Sequence, residues 1–97
     1  MLTYITLMKF TQEGAKTIKE SPARLDWARE AVKAAGGEIQ AFYLTMGQYD
    51  AVAISKAPSE EAYAATLLAI ASAGAVSTET LRAFTEEEYR KIIAAVP

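Results

Sequence analysis

The sequence predicts an α+β domain in which a four-stranded antiparallel sheet carries two helices on one face, with one more helix after the last strand. Two observations lead there. Runs rich in β-branched and aromatic residues alternate with stretches of helical spacing in the order β-α-β-β-α-β. A capping box then follows the final strand. That order is the split βαβ, or ferredoxin-like, plan, with spatial strand order 4-1-3-2.

Leu2–Phe10 reads as the first strand, and Thr11 behind it is a good helix N-cap. Helical pattern then runs from Gln12 to Ala35, but Ser21-Pro22 falls inside it, and proline is tolerated only in a first helical turn. Two pieces, or a kink at Pro22, are therefore expected. In the second piece Leu25, Ala28, Val32 and Ala35 recur on one face, while Asp26, Glu30 and Lys33 fall on the opposite arc. Gly36-Gly37 ends it through a left-handed C-terminal cap. Glu38–Met46 and Tyr49–Lys56 are the second and third strands, joined through Gly47-Gln48 as a two-residue type II′ hairpin. Ser59 caps the next helix, which has Glu60 and Glu61 in its first turn, an apolar stripe of Tyr63, Leu67 and Ile70, and Gly74 at its end. Val76–Phe84 is the fourth strand. Thr85 and Glu88 form the capping box of the last helix, which places Tyr89, Ile92, Ile93 and Val96 on one side. The echo between Phe10-Thr11 and Phe84-Thr85 is shared strand-to-helix junction chemistry.

Composition narrows the function. The chain has 97 residues, with 10 Lys+Arg against 12 Asp+Glu, a formal net charge of -2, and neither Cys nor His. One domain spanning residues 1–97 is expected. Without Cys there is no disulfide or thiol chemistry, and without His the usual general base and commonest metal ligand are missing. A pI near 5.1 leaves no counterion-release footprint for DNA or RNA. No phosphate-binding glycine loop is present. Neither cofactor nor metal is expected, and neither nucleic acid nor membrane is expected as a partner. Met1–Phe10 lacks the basic start and cleavage site of a signal peptide, and Ala62–Val76 is broken by Thr66, Ser72 and Gly74. The cytoplasm is the expected location.

The strands carry more apolar surface than two helices can cover. Alternation along the second strand sets Ile39, Ala41 and Tyr43 on one side and Phe42, Leu44 and Met46 on the other, so both sides are apolar. The first strand repeats this, with Ile5 and Leu7 opposed to Leu2, Tyr4, Met8 and Phe10. The last helix would cover part of the second face. Another copy packing sheet against sheet would cover all of it, which predicts a homo-oligomer, most simply a homodimer. On adjacent first and fourth strands, Tyr4, Thr6, Thr78, Thr80 and Arg82 form hydroxyl rows with one guanidinium. These are suited to orient a small anionic ligand between two sheets.

At Gly47-Gln48-Tyr49-Asp50, with Ala51-Val52-Ala53-Ile54 leading out, the sequence resembles the GYD-domain family. The opening Tyr4-Ile5-Thr6-Leu7-Met8-Lys9-Phe10-Thr11, Gly36-Gly37, Ala57-Pro58 and Thr78-Glu79-Thr80-Leu81-Arg82-Ala83-Phe84 also resemble it, so the likeness spans nearly the whole chain. It implies a ferredoxin-like domain of the dimeric α/β-barrel type, with no established activity. The same glycine, spacer, aromatic and aspartate resemble the effector-binding domain of leucine-responsive regulators, which pairs through its sheets and binds amino acids near the subunit interface. This chain has no helix-turn-helix, so a DNA-binding role does not carry over.

Candidate ligand-binding residues are thus Tyr4, Thr6, Tyr43, Tyr49, Asp50, Thr80 and Arg82. The plainer reading of the motif assigns Gly47 to its backbone, Tyr49 to cross-strand packing and Asp50 to bonding turn N–H groups. Glu86, Glu87 and Glu88 are expected as a solvated first helical turn, and Trp27 as edge packing or a subunit contact. Asp50, Tyr43, Tyr49 and the Glu side chains are the acid/base candidates. The reading is a cytoplasmic, homo-oligomeric small-molecule-binding or assembly module. The alternative is a cofactor-independent enzyme of the dimeric α/β-barrel type, working in a pocket between helices and sheet.

Overall fold

A computed structural model describes residues 1–97. Strand β1 (Leu2–Phe10) lies inside the sheet, and Thr11 caps α1 (Gln12–Lys16) by accepting from the Gly14 N–H. A single 3-10 turn, Ile18–Glu20, separates α1 from α2 (Ser21–Ala34), which carries Pro22 in its first turn. The helical stretch is therefore in two pieces, as the position of Pro22 requires. Gly36, at φ 86°, ends α2 in a conformation that would strain a side chain.

Strands β2 (Glu38–Leu44) and β3 (Ala51–Ala57) follow, then α3 (Glu60–Ser72) capped by Ser59, β4 (Val76–Ala83), and α4 (Glu86–Ala94) with its capping box of Thr85 and Glu88. The sheet order is β2-β3-β1-β4, with every neighbouring pair antiparallel, as the ferredoxin-like plan dictates. No helix is long and apolar enough to cross a membrane.

Two local expectations are corrected. The connection between β2 and β3 is not a two-residue hairpin. It spans Thr45–Asp50, closed by Thr45 N–H donating to the Asp50 carbonyl at 2.9 Å and by Thr45 Oγ1 donating to the Tyr49 carbonyl at 2.6 Å. The side chain of Asp50 stitches this loop to another strand, accepting from the Phe10 N–H at 2.9 Å, while the Asp50 N–H donates to the Met8 carbonyl. These bonds to β1 hold the loop away from a tight turn, and Met46 is left in solvent. The second correction is a β-bulge between Ile39 and Ala41. It puts Ile39 opposite Ser55 and Ala41 opposite Ile54, so Ile39 leaves the Ala41/Tyr43 side and joins Phe42 beneath the helices.

Helices α2 and α3 cover one face. Its core gathers Tyr4, Val32, Ile39, Ala53, Ala57 and Tyr63. On the other face the register aligns Ala41, Ile54, Ile5 and Leu81 in one row, and Tyr43, Val52, Leu7 and Glu79 in the next. This face is apolar and bare of helices. Helix α4 keeps its own apolar residues Tyr89, Ile92, Ile93 and Val96 exposed. Its three acids are all engaged: Glu86 with Arg90, Glu87 with Lys91, and Glu88 with the Thr85 N–H.

Candidate functional site

The sheet's covered face has a floor of small side chains. β3 alternates Ala51, Ala53, Ser55 and Ala57 toward the helices with Val52, Ile54 and Lys56 toward the open side, and all four small residues are buried. Nothing on this strand reaches up to fill the space under α2 and α3. A cavity of about 110 Å³ results, lined mostly by apolar side chains such as Met8, Leu25, Ala28, Phe42 and Leu67. Trp27 stands at its edge, half exposed.

A few polar groups converge on this space. Thr6 Oγ1 lies 2.9 Å from the Tyr63 hydroxyl and 3.1 Å from Thr80 Oγ1, so three hydroxyls from β1, α3 and β4 form one chain. Ser55 is fully buried, and its Oγ has no hydrogen-bond partner. Arg24, from the start of α2, donates through Nη2 to the Thr17 carbonyl at 2.8 Å and to the Thr17 hydroxyl. Its Nη1 is buried without a partner. An unmade bond to a buried polar group costs about 1–3 kcal/mol, more for a charged one, and both residues that carry such an atom line this cavity. The lining holds hydroxyls and one guanidinium, and no carboxylate.

The candidate residues read from the sequence fall into three places. Tyr4, Thr6, Thr80 and Arg82 share the covered face, since Tyr4 pairs with Arg82 and Thr6 with Thr80 across β1 and β4. The expectation that this row lies between two sheets is therefore corrected. Helix α3 seats Tyr63 on it, stacked on Tyr4 with centroids 4.4 Å apart. Burial pushes the Tyr4 phenol above its ordinary range, with Glu60 adding to the rise and Arg82 opposing it. The Arg82 guanidinium is taken up by the Thr3 and Ala83 carbonyls and lies over the Phe84 ring at 4.6 Å. Tyr43 is on the open face, apart from all of these.

Tyr49 and Asp50 belong to the loop. Tyr49 runs toward β4, donating to Glu79 Oε1 at 3.2 Å, with the Lys9 ammonium 5.3 Å from its ring centroid. Desolvation and the bond to Glu79 both raise its phenol's pKa. Asp50 holds the Phe10 N–H of β1 rather than the turn N–H groups of the plainer reading, so its carboxylate is a structural acceptor between segments. Of the hydroxyl rows read from the sequence, Thr6 and Thr78 line the cavity, with Thr80 bonded to Thr6. Arg24 and Ser55 are not among those candidates, and Tyr63 is legible in the sequence only as part of an apolar stripe. The alternation of small and branched residues along Ala51–Ala57 was the available signal for the cavity.

Comparison with known proteins fits this architecture. The chain is 34% identical over 84 residues, 86% of its length and 88% of the relative's, to a Thermus thermophilus protein named glutamine synthetase and cystathionine beta-lyase binding protein. Two solved Mycobacterium tuberculosis structures share the fold. One is the feast or famine regulatory protein complexed with L-methionine, with a TM-score of 0.67 at 18% identity over 88% of this chain. The other is the leucine response regulatory protein, with a TM-score of 0.65 at 18% identity over 87% of it. The chain spans about half of each regulator, 51% of its length. A family model described as GYD domain matches residues 4–93, and the chain belongs to the GYD-domain family.

Proposed function

We propose that this chain is a small-molecule-binding domain that works as a homodimer, with the ligand seated between the sheet and helices α2 and α3. One observation carries the reading: the cavity over the Ala51–Ala53–Ser55–Ala57 floor contains a fully buried hydroxyl with no partner. An apolar chamber with a few convergent polar groups is the usual form of a ligand site. Its hydroxyls and guanidinium suit binding and orientation. The homodimer rests on the bare apolar face, where Ile5, Leu7, Val52, Ile54 and Leu81 would be covered by the same residues of a second copy.

Trp27 is the only tryptophan and borders the cavity, so its emission reports occupancy. Titration of small organic molecules into the protein is expected to move Trp27 emission and the backbone amide resonances of Ala28 and Ser55 together. Ala53→Leu, which fills the chamber, is expected to abolish both responses. Responses that persist unchanged in that variant would place binding elsewhere and overturn the proposal.

The name of the Thermus relative favours a second reading, in which the chain docks onto an enzyme. The exposed row Tyr89, Ile92, Ile93 and Val96 on α4 supports it as a docking surface. Sedimentation with glutamine synthetase and with cystathionine beta-lyase tests it. Co-sedimentation lost on Ile92→Asp would sustain this reading, and independent sedimentation of both enzymes would end it.

A further inference from the structure

We propose that the inter-layer cavity takes a monocarboxylate with an apolar body, its carboxylate held by Arg24 and its tail lying over the Ala53–Ser55 floor. This rests on the small-molecule reading above and names the class of ligand.

The sequence drew attention to Arg82 as the anion holder, but Arg82 does not line the cavity, and its Nη1 is bonded to two main-chain carbonyls. Arg24 is in the opposite condition. Thr17 anchors one guanidinium nitrogen, and the other, Nη1, is buried with nothing to bond. Fixing one side of the fork leaves the free side aimed with little rotational freedom, which is how a guanidinium is pre-organised for a carboxylate. The nearest acid, Glu20, stands 3.9 Å from the anchored Nη2 rather than the free nitrogen, and is largely in solvent. No carboxylate lines the cavity, so the charge of Arg24 is unmatched on the cavity side.

The same chemistry excludes close competitors. A zwitterionic amino acid would bring an ammonium group into a chamber with no carboxylate to receive it, and burying a charge without a partner is expensive. A neutral alcohol would leave the guanidinium unmatched. Size also limits the body. An apolar protein cavity of about 150 Å³ accommodates the six carbons of benzene, and this one is about 110 Å³, so roughly four carbons of a short tail fit inside it, with the rest of the molecule at the edge where Arg24 and Trp27 are partly exposed. Helix geometry agrees with an extended tail. Arg24 and Val32, which packs at the Ile39 end of the core, are eight positions apart on α2, or about 12 Å at 1.5 Å per residue.

The test compares three probes of equal chain length: hexanoate, 1-hexanol and norleucine. Each is titrated into the wild type, Arg24→Gln and Ala53→Leu, and read by amide shifts of Ala28 and Ser55 and by Trp27 emission. Hexanoate is expected to bind the wild type at least tenfold more tightly than either competitor. Arg24→Gln is expected to remove that preference while leaving 1-hexanol binding within a factor of about two. Equal affinity of the wild type for hexanoate and 1-hexanol, or for hexanoate and norleucine, would overturn the monocarboxylate assignment and leave the pocket reading standing. That comparison needs no variant, so it holds even if Arg24→Gln folds poorly. If no probe moves Ala28, Ser55 or Trp27, both the assignment and the pocket reading fall.

Discussion

Replacing Ala53 by leucine adds three carbons to the cavity floor, at a position that is 5% exposed and faces the helices between Thr6 and Phe42. An empty cavity costs about 24 cal/mol per Å³ in measured core truncations, so a void of about 110 Å³ represents about 2.6 kcal/mol of unrealised packing. Burying three carbon groups yields a similar sum, about 2.4 kcal/mol at about 0.8 kcal/mol each. Some of this is lost to imperfect fit, because inserted methylenes in a filled core cost about 1–3 kcal/mol. The net expectation is a gain of up to about 1.4 kcal/mol, or a rise in Tm of up to roughly 10 °C for a domain of this size. Urea and thermal unfolding followed by circular dichroism measure it, and Trp27 emission during a hexanoate titration records the loss of binding. If Ala53→Leu is instead destabilised by about 1–3 kcal/mol and still binds hexanoate as the wild type does, the space is already packed and the reasoning from the small-residue floor is wrong.

Other consequences are open to measurement. Ser55→Ala removes a buried hydroxyl without a partner and is expected to raise the stability of the ligand-free protein by about 1 kcal/mol in urea unfolding; a loss of that size would mean the hydroxyl is bonded in solution. Gly14→Ala should destabilise by at least about 2 kcal/mol despite alanine's helix propensity, because its Cβ would meet the Ala75 carbonyl oxygen at 2.0 Å, a backbone atom that cannot swing aside; a neutral result would mean that α1 shifts freely. Leu7→Asp sets a charge in the centre of the bare face, and sedimentation should report a 10.5 kDa monomer where the wild type gives twice that mass. A wild-type monomer would exclude the dimer. The Glu88 carboxyl is held below its ordinary range by its bond from the Thr85 N–H, so the cap's contribution is present above the ordinary carboxyl pKa and disappears as pH falls through the depressed value. Protection factors in α4, which correct for the slower intrinsic exchange in acid, should therefore fall on acidification below about pH 4, and Glu88→Gln should flatten that pH dependence.

Much of the architecture was legible in the residues because it is local. Thr11, Ser59 and Thr85 cap helices where their neighbours place them, since a cap needs only the next three residues. Pro22 broke the long helical stretch for an equally local reason. The β-α-β-β-α-β order then left few ways to build the sheet, and the order 4-1-3-2 followed. The bare apolar face was legible too, because period-two alternation in β1 and β2 puts apolar residues on both sides.

What tertiary structure alone decided lies where chain segments distant in sequence meet. Asp50 bonds Phe10, 40 residues away, and that contact opened the turn into a longer loop. The bulge at Ile39 exchanged the faces of one strand residue, which alternation cannot anticipate because one extra residue inverts every later parity. The site depended on the same kind of contact. Which guanidinium reaches the cavity follows from where each one packs: Arg82 bonds the Thr3 and Ala83 carbonyls through Nη1 outside the cavity lining, while Arg24 lines the cavity with Nη2 on Thr17 and Nη1 buried without a partner. The sequence by itself determined the elements, their order and two apolar sheet faces, because propensity, capping and periodicity act over a few residues. The tertiary structure decided which face the helices cover, where the space remains and which polar atoms stand unpaired in it, because each of these is a balance of contacts between segments that only the folded chain brings together.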